Sequence, residues 1–110
     1  MIDETLRAIE ARLRERGAMT DEHRAELLTL VGKLRLELDE LAQTDPEQAM
    51  QVANLTERTA RYATREPPDG QLVQQSSRSL RQAAYQLEAS HPRLARLADS
   101  LVRMLADMGL

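Results

Sequence analysis

A carboxylate and an imidazole three residues apart, Glu88 and His91, come closest in this chain to a metal-binding motif. On one continuous helix, an E-x-x-H pair places both side chains on the same face, as in di-iron carboxylate bundles. Those bundles use two such motifs and two further glutamates, and this sequence contains one motif. Because Pro92 disfavours helical backbone at His91, we predict a helix corner there and no metal site.

A second candidate cluster surrounds His23, with Glu26 one turn later and Asp21 and Glu22 just before it. Two histidines in the whole chain are few for a first-row metal site, and acidic residues at a helix start are expected from the helix dipole. Cysteine is absent, which removes thiolate chemistry. No nucleophile or phosphate-loop motif occurs. We therefore expect no catalytic residue, no metal and no cofactor.

A stripe of arginines, Arg58, Arg61 and Arg65, lies along one predicted helix, with Arg78 and Arg81 on the next. Such a stripe could contact phosphates. Fifteen basic and eighteen acidic residues, however, give a net charge of −3, which argues against a dedicated polyanion-binding protein. A solvated helix face is the favoured interpretation, and a nucleic-acid interface on this stripe is the alternative.

All these residues lie on predicted helices. Glycine and proline are few and occur at the breaks, no segment alternates with period two, and β-branched residues are sparse, so strands are not expected. The predicted helices are 3–16, 21–43, 46–65, 70–89 and 92–108. Short connections make consecutive helices antiparallel neighbours. The sequence predicts a single all-α domain, an antiparallel bundle of about five helices over 1–110.

The chain has eighteen leucines and two aromatic residues, so its core should be aliphatic. The second helix carries a heptad-like seam, formed by Leu27, Val31, Leu34, Leu38 and Leu41. We expect the first, second and fifth helices to supply most of the core, and the third and fourth to cover one side.

The predicted helix ends have recognisable caps. Thr20 and Asp45 are suited to N-cap positions, and Gly17 to a C-terminal cap. Near the end of the chain, Gly109 followed by apolar Leu110 fits a Schellman-type ending in which Leu110 folds back on the last helix.

The back of the second helix is unexpectedly apolar, with Ala25, Leu28, Gly32 and Leu36 on the side away from the seam. An exposed helix back is normally polar. Gly32 costs about 1 kcal/mol relative to alanine inside a helix, which is easier to understand if another backbone approaches closely. Either the third or fourth helix fills this face or a second subunit does. We favour a second subunit, because a small aliphatic domain gains core by pairing.

Three segments carry a resemblance to a known family. Residues 88–92 read Glu-Ala-Ser-His-Pro, the chain ends in Met-Gly-Leu, and residues 21–28 read Asp-Glu-His-Arg-Ala-Glu-Leu-Leu. In these segments the chain resembles a family of small bacterial helical proteins known as domain of unknown function 4404. The resemblance covers about 1–43 and 72–110, whereas 44–70 departs as an added helix. It implies a helical architecture and a bacterial cytosolic origin, and it brings no established activity.

These observations favour a non-enzymatic helical interaction or scaffold protein, acting as a homo-oligomer, with a dimer preferred, or as an adaptor. The acidic N-terminus lacks an apolar signal core, and the longest apolar stretch is too short to span a bilayer. We therefore expect a cytoplasmic protein without a membrane partner. Nucleic acid binding is the first alternative function, and a metal-binding helical enzyme around Glu88 and His91 is the second.

Overall fold

The computed structural model describes residues 2–15, 20–65 and 67–109, and every regular element among them is a helix. The helices are α1 (Ile2–Glu15), α2 (Asp21–Ala42), α3 (Pro46–Ala63), α4 (Gly70–Gln86) and α5 (Pro92–Gly109). Consecutive helices pack side by side, which confirms the predicted all-α bundle. The helix bounds agree with the predicted ones to within two residues, except at the end of α4.

Both predicted N-caps are confirmed by hydrogen bonds. The Thr20 hydroxyl accepts from the backbone amide of His23 at 3.1 Å. The Asp45 carboxylate accepts from the amide of Gln48, also at 3.1 Å. Each bond satisfies a backbone donor that has no partner within the helix, so these side chains fix where α2 and α3 begin.

Helix α4 begins with a cap that the sequence analysis did not assign. The Asp69 carboxylate accepts a hydrogen bond from the amide of Leu72 at 3.1 Å, which is the same geometry as at Asp45. The predicted roles of Gly17 and Leu110 at helix ends fall outside the described residues.

The leucine core forms as predicted on α2. Its seam residues are all buried, and they are Leu27, Val31, Leu34, Leu38 and Leu41. Helix α1 adds Leu6, Ile9 and Leu13. Helix α5 adds Leu94, Ala98, Leu101, Val102 and Leu105. Helix α2 packs against α1 and α5, as expected, and also against α3.

Helix α3 has a more central position than the sequence analysis expected. It packs against each of the other four helices, whereas α1 and α4, for example, do not contact each other within the described residues. Its buried side chains are all small or medium-sized, namely Ala49, Val52, Ala53, Thr56, Thr59, Ala60 and Ala63. Small side chains at a contact allow helix axes to approach closely. The expectation that the third and fourth helices cover one side of the core is therefore wrong for α3.

Buried hydroxyl groups on α3 are satisfied within the helix itself. The Thr56 hydroxyl donates to the carbonyl oxygen of Val52 at 2.8 Å, and the Thr59 hydroxyl donates to that of Leu55 at 2.8 Å. Such back-bonding removes the need for a polar partner on a neighbouring helix. Threonine therefore fills these buried positions without leaving an unpaired polar atom.

Helix α4 ends at Gln86, three residues before the predicted end. The Leu87 amide donates to the carbonyl oxygen of Ala84 at 3.0 Å, and the Glu88 amide donates to that of Tyr85 at 3.1 Å. These i to i+3 bonds tighten and close the last turn. Since Leu87 is buried against the core, the turn that follows is held in place and Glu88 lies outside the helix.

The accessible surface shows that one chain encloses its own core. It measures 6416 Å², close to the roughly 6100 Å² expected for a compact monomer of this mass. The long dimension of the molecule is 38 Å, and the 22 residues of α2 form a helix about 33 Å long at 1.5 Å per residue. Association with a partner would therefore add buried surface to a core that is already complete.

Candidate interaction surface on α2 and α5

The four residues predicted on the back of α2 differ in their surroundings. Ala25 and Gly32 are exposed, and the Leu36 side chain is 70% exposed. Leu28 is half-buried and packs against the edge of the core. A Cβ atom placed on Gly32 meets nothing within 4 Å. Within the described chain no helix covers Gly32 or Leu36, so the alternative in which the third or fourth helix fills this face is wrong.

We expect Gly32→Ala to raise the free energy of unfolding by up to about 1 kcal/mol, because alanine is the better helix former. The open space around this position accepts the added methyl group. Urea denaturation of both proteins at the same low concentration measures the difference. A loss of stability would instead show that another part of the chain approaches Gly32.

Leu36 lies at a groove of about 350 Å³ between α2 and α5. The half-buried Leu97 of α5 lines the same groove. Charged side chains frame these two leucines, namely Lys33, Glu37, Arg93 and Arg96. The exposed face of α2 therefore continues into a groove with an apolar part and a mostly cationic border.

The contribution of α5 to this surface was missed at the sequence level. The sequence analysis drew no connection between Leu36 and Arg93 or Arg96. The available signal was Leu97, which lies at the border between the apolar side of the fifth helix, with Leu94 and Leu101, and its charged side, with Arg93 and Arg96. Which helix lies beside that border depends on the tertiary arrangement.

A second groove, of about 540 Å³, lies on the other side of α5, between α5 and α4. Tyr85 lines it and is 75% exposed. Arg96 and Ser100 line both grooves. Leu36 and Tyr85 are the large hydrophobic residues most exposed among those described. Since each lines one of the two grooves beside α5, they lie on opposite sides of that helix.

Two of the predicted stripe arginines are engaged with neighbouring side chains. The guanidinium carbons of Arg61 and Arg65 lie 5.5 and 5.4 Å from the ring centroid of Tyr62, within the range of cation–π contacts. Arg61 also pairs with Glu57 at 3.8 Å, and Arg65 with Asp69 at 4.0 Å. Carboxylates beside both cations weaken the local field that a polyanion would encounter.

The remaining arginines do not extend this stripe into one continuous face. Arg58 is exposed and lines a small groove between α3 and α4. Arg81 lies on the opposite side of α4, where it pairs with Asp99 of α5 at 3.5 Å. The arginines of the third and fourth helices therefore point to different surfaces.

The segment containing Glu88 and His91 is a helix–helix corner, as predicted. Glu88 lies in the exposed turn after α4, so the two side chains do not share a helical face. The backbone amide of His91 donates to the carbonyl oxygen of Leu87 at 2.6 Å, and its own carbonyl oxygen accepts from Ala95 at 3.1 Å. The backbone of His91 therefore connects the two helices.

The acidic cluster at the start of α2 is open to solvent. His23 and Glu26 are exposed, and Asp21 pairs with Arg24 at 2.9 Å. The Nε of Arg24 also donates to the carbonyl oxygen of Leu13 at 3.1 Å, which ties the start of α2 to the end of α1. Across the described ranges, no three histidine, aspartate or glutamate side chains come together to hold a metal ion.

The fold and surface define a class: a five-helix bundle with an exposed apolar face beside a cation-bordered groove. No family model matches the sequence, and neither a curated protein nor a solved structure resembles it significantly. The resemblance to domain of unknown function 4404 stays a prediction. None of the described helices combines the length and hydropathy that a bilayer-spanning segment requires.

Proposed function

We propose that this chain is a non-enzymatic helical interaction protein, acting as a homo-oligomer or an adaptor through the apolar back of α2. The observation that carries the proposal is the 70% exposure of Leu36. Single exposed leucines are common on protein surfaces. Leu36, however, follows exposed Ala25 and Gly32 on the same helix face and adjoins a groove shared with Leu97. Binding a partner removes such an apolar surface from water, which lowers the free energy of the system.

The arrangement of charged groups supports a role without catalysis. Arg35 of α2 pairs with Asp3 of α1 at 3.5 Å and also with Glu10. Arg12 of α1 pairs with Glu57 of α3 at 3.6 Å. These carboxylates join helices within the bundle, which is a structural use. The bacterial cytoplasm is the compartment that the family resemblance implies, and we propose it on that basis.

The nucleic-acid alternative has less support. It relied on Arg58, Arg61 and Arg65 acting together as a phosphate-binding stripe. Two of these cations have a carboxylate within 4.0 Å, and the chain carries a net charge of −3. No ordered row of cations with exposed aromatic rings, the pattern that binds single strands, occurs on the described part of α3.

Two matched substitutions test the proposed surface. Leu36→Ser and Tyr85→Ser each replace a largely exposed hydrophobic residue on either side of α5. Burying a leucine side chain contributes about 1.5–3 kcal/mol, so Leu36→Ser should weaken partner binding about tenfold or more. Tyr85→Ser should leave binding unchanged, and both variants should keep the helical content of the parent protein.

The measurement follows the amide signals of isotope-labelled protein, first pure over a range of concentrations and then in bacterial cytosolic extract. Association should broaden signals from α2 and α5, and Leu36→Ser should restore them. Broadening confined to α3, or no broadening under either condition, would contradict the proposed function.

A further inference from the structure

We infer that the partner at the α2–α5 groove is a second copy of this chain, in a symmetric dimer whose two-fold axis runs along the helices. In this arrangement α2 of each copy lies against α5 of the other. The inference rests on the proposed function, because it names the partner of the same surface. Three observations support it: the sign of the exposed charges, their position relative to the helix dipoles, and the size of the surface.

Both helices expose charges of each sign, including Lys33 on α2 and Asp107 on α5, but where α2 ends and α5 begins the exposed charges of the two helices are opposite. Helix α2 exposes acidic side chains that form no ion pair within the described chain, namely Glu22, Glu26, Asp39 and Glu40. Helix α5 exposes Arg93 and Arg96, which also form no ion pair with any described residue. Opposite charges on two surfaces favour their association and fix its orientation.

Three of these charges, on Asp39, Glu40 and Arg93, oppose the dipoles of their own helices, whereas Glu22 in the first turn of α2 favours its helix dipole. The last turn of α2 contains no basic residue, although cations are favoured at a helix C-terminus. The first turn of α5 contains no acidic residue, although anions are favoured at an N-terminus. Asp39, Glu40 and Arg93 therefore do not stabilise the helices that carry them. Pairing with a partner chain supplies the favourable interaction that each helix lacks.

The two ends that carry these charges lie at the same level of the bundle. Short connections make successive helices antiparallel, so α2 and α5, three connections apart, run in opposite directions. Since Leu36 and Leu97 line one groove, Glu40, one turn beyond Leu36, lies near the level of Arg93.

Charge selects one of the two simple symmetric arrangements. An axis across the helices would place α2 against the partner's α2, and a register with Leu36 opposite the partner's Ala25 overlaps the two helices along almost their whole length. Residues 39–40 would then face the partner's residues 21–22, so that acidic groups oppose acidic groups. An axis along the helices instead places α2 against the partner's α5 at the same level. Glu40 then faces the partner's Arg93, and each contact occurs twice.

The available surface is large enough for such a dimer. Helix α2 spans about 33 Å, and two helices side by side are about 20 Å wide. The outline of the α2–α5 face is then about 650 Å², and its corrugated accessible area is larger. Stable interfaces of standard size bury about 800 Å² on each partner. The face therefore suits one helical pair of a second copy.

Charge reversal tests this arrangement directly. Glu40→Arg and Arg93→Glu, made separately and together, each place a charge that favours the local helix dipole. Loss of dimer in a single variant would therefore not reflect loss of helix. Sedimentation velocity over a range of concentrations gives the dimer Kd, and circular dichroism checks the fold. Arg78→Glu, at an exposed position on α4, is the control.

We expect each single reversal to raise the dimer Kd about tenfold or more, since each affects two symmetric contacts. The double variant should recover a Kd within about threefold of the original, because the pair is restored with its signs exchanged. The Arg78→Glu control should match the parent protein.

Three results would overturn the inference. Tighter dimerisation of Glu40→Arg would indicate α2 against α2, and a dimer insensitive to all reversals would place the interface elsewhere. A parent protein that stays monomeric at the highest concentration would exclude a second copy. In that last case the signals recorded in cell extract decide separately whether α2 and α5 bind another protein, so the proposed function fails only if they do not broaden there.

Discussion

Leu34→Ala is expected to lower the free energy of unfolding by about 2–5 kcal/mol, the range found when a buried leucine is truncated in a packed core. Leu34 is completely buried in the seam of α2, a helix that packs against α1, α3 and α5. Truncation removes buried apolar surface and leaves a cavity. The cavity closes only if α1, α3 or α5 moves toward α2. Urea denaturation with a two-state fit measures the change.

Leu36→Ala is the matched control for this prediction. It makes the same substitution in the same helix two residues later, at a side chain that is 70% exposed. At low protein concentration its effect should stay within about 0.5 kcal/mol, because substitutions at exposed positions rarely change stability more. Because both variants change leucine to alanine in the same helix, the difference between their free energies of unfolding reports the effect of burial separately from helix propensity. A loss below about 1 kcal/mol at Leu34 would contradict a core position for the seam.

The seam and the helix starts could be predicted because their signals are local. Leu27 to Leu41 repeat with a spacing that puts them on one side of a helix whatever the rest of the chain does. Thr20 and Asp45 cap helices by bonding to amides three residues ahead, so the interaction lies within one turn. Such features require no knowledge of neighbouring helices.

The central position of α3 could not be predicted in the same way. Its buried side consists of small and medium-sized residues, including Ala49, Val52 and Ala60. The number of helices touching that side depends on how closely the neighbouring axes approach, which small side chains permit but do not dictate. The sequence analysis expected α3 to cover one side of the core, although close packing by small residues makes it the helix that meets all others.

Only part of the candidate surface could be predicted, because one helix contributes through local spacing and the other through its position in the folded chain. The spacing of Ala25, Gly32 and Leu36 correctly identified an apolar side of α2 that faces away from the seam. Leu28 lies farther round the helix and turned out to pack against the core edge. The charged border contributed by α5 depends on which helix lies beside α2, and residues some 60 positions apart carry no local signal of that proximity.

The second large effect is expected at the centre of the bundle, where Ala53→Leu should lower the free energy of unfolding by about 1–3 kcal/mol. Ala53 is completely buried on α3. Adding three carbon atoms where helices pack closely forces side chains from preferred rotamers or pushes helices apart. Thermal and urea denaturation should both show the loss, with helical content retained.

Asn54→Leu provides the control at the adjacent, exposed position of the same helix. It introduces the same side chain without entering the core and should change stability by about 0.5 kcal/mol or less. If α3 were only a cover over a leucine core, it could shift outward and accommodate the larger residue, and the two variants would behave alike. Because α3 contacts helices on several sides, moving away from one neighbour brings it against another. A clear difference between the two variants is therefore the expected consequence of its central position.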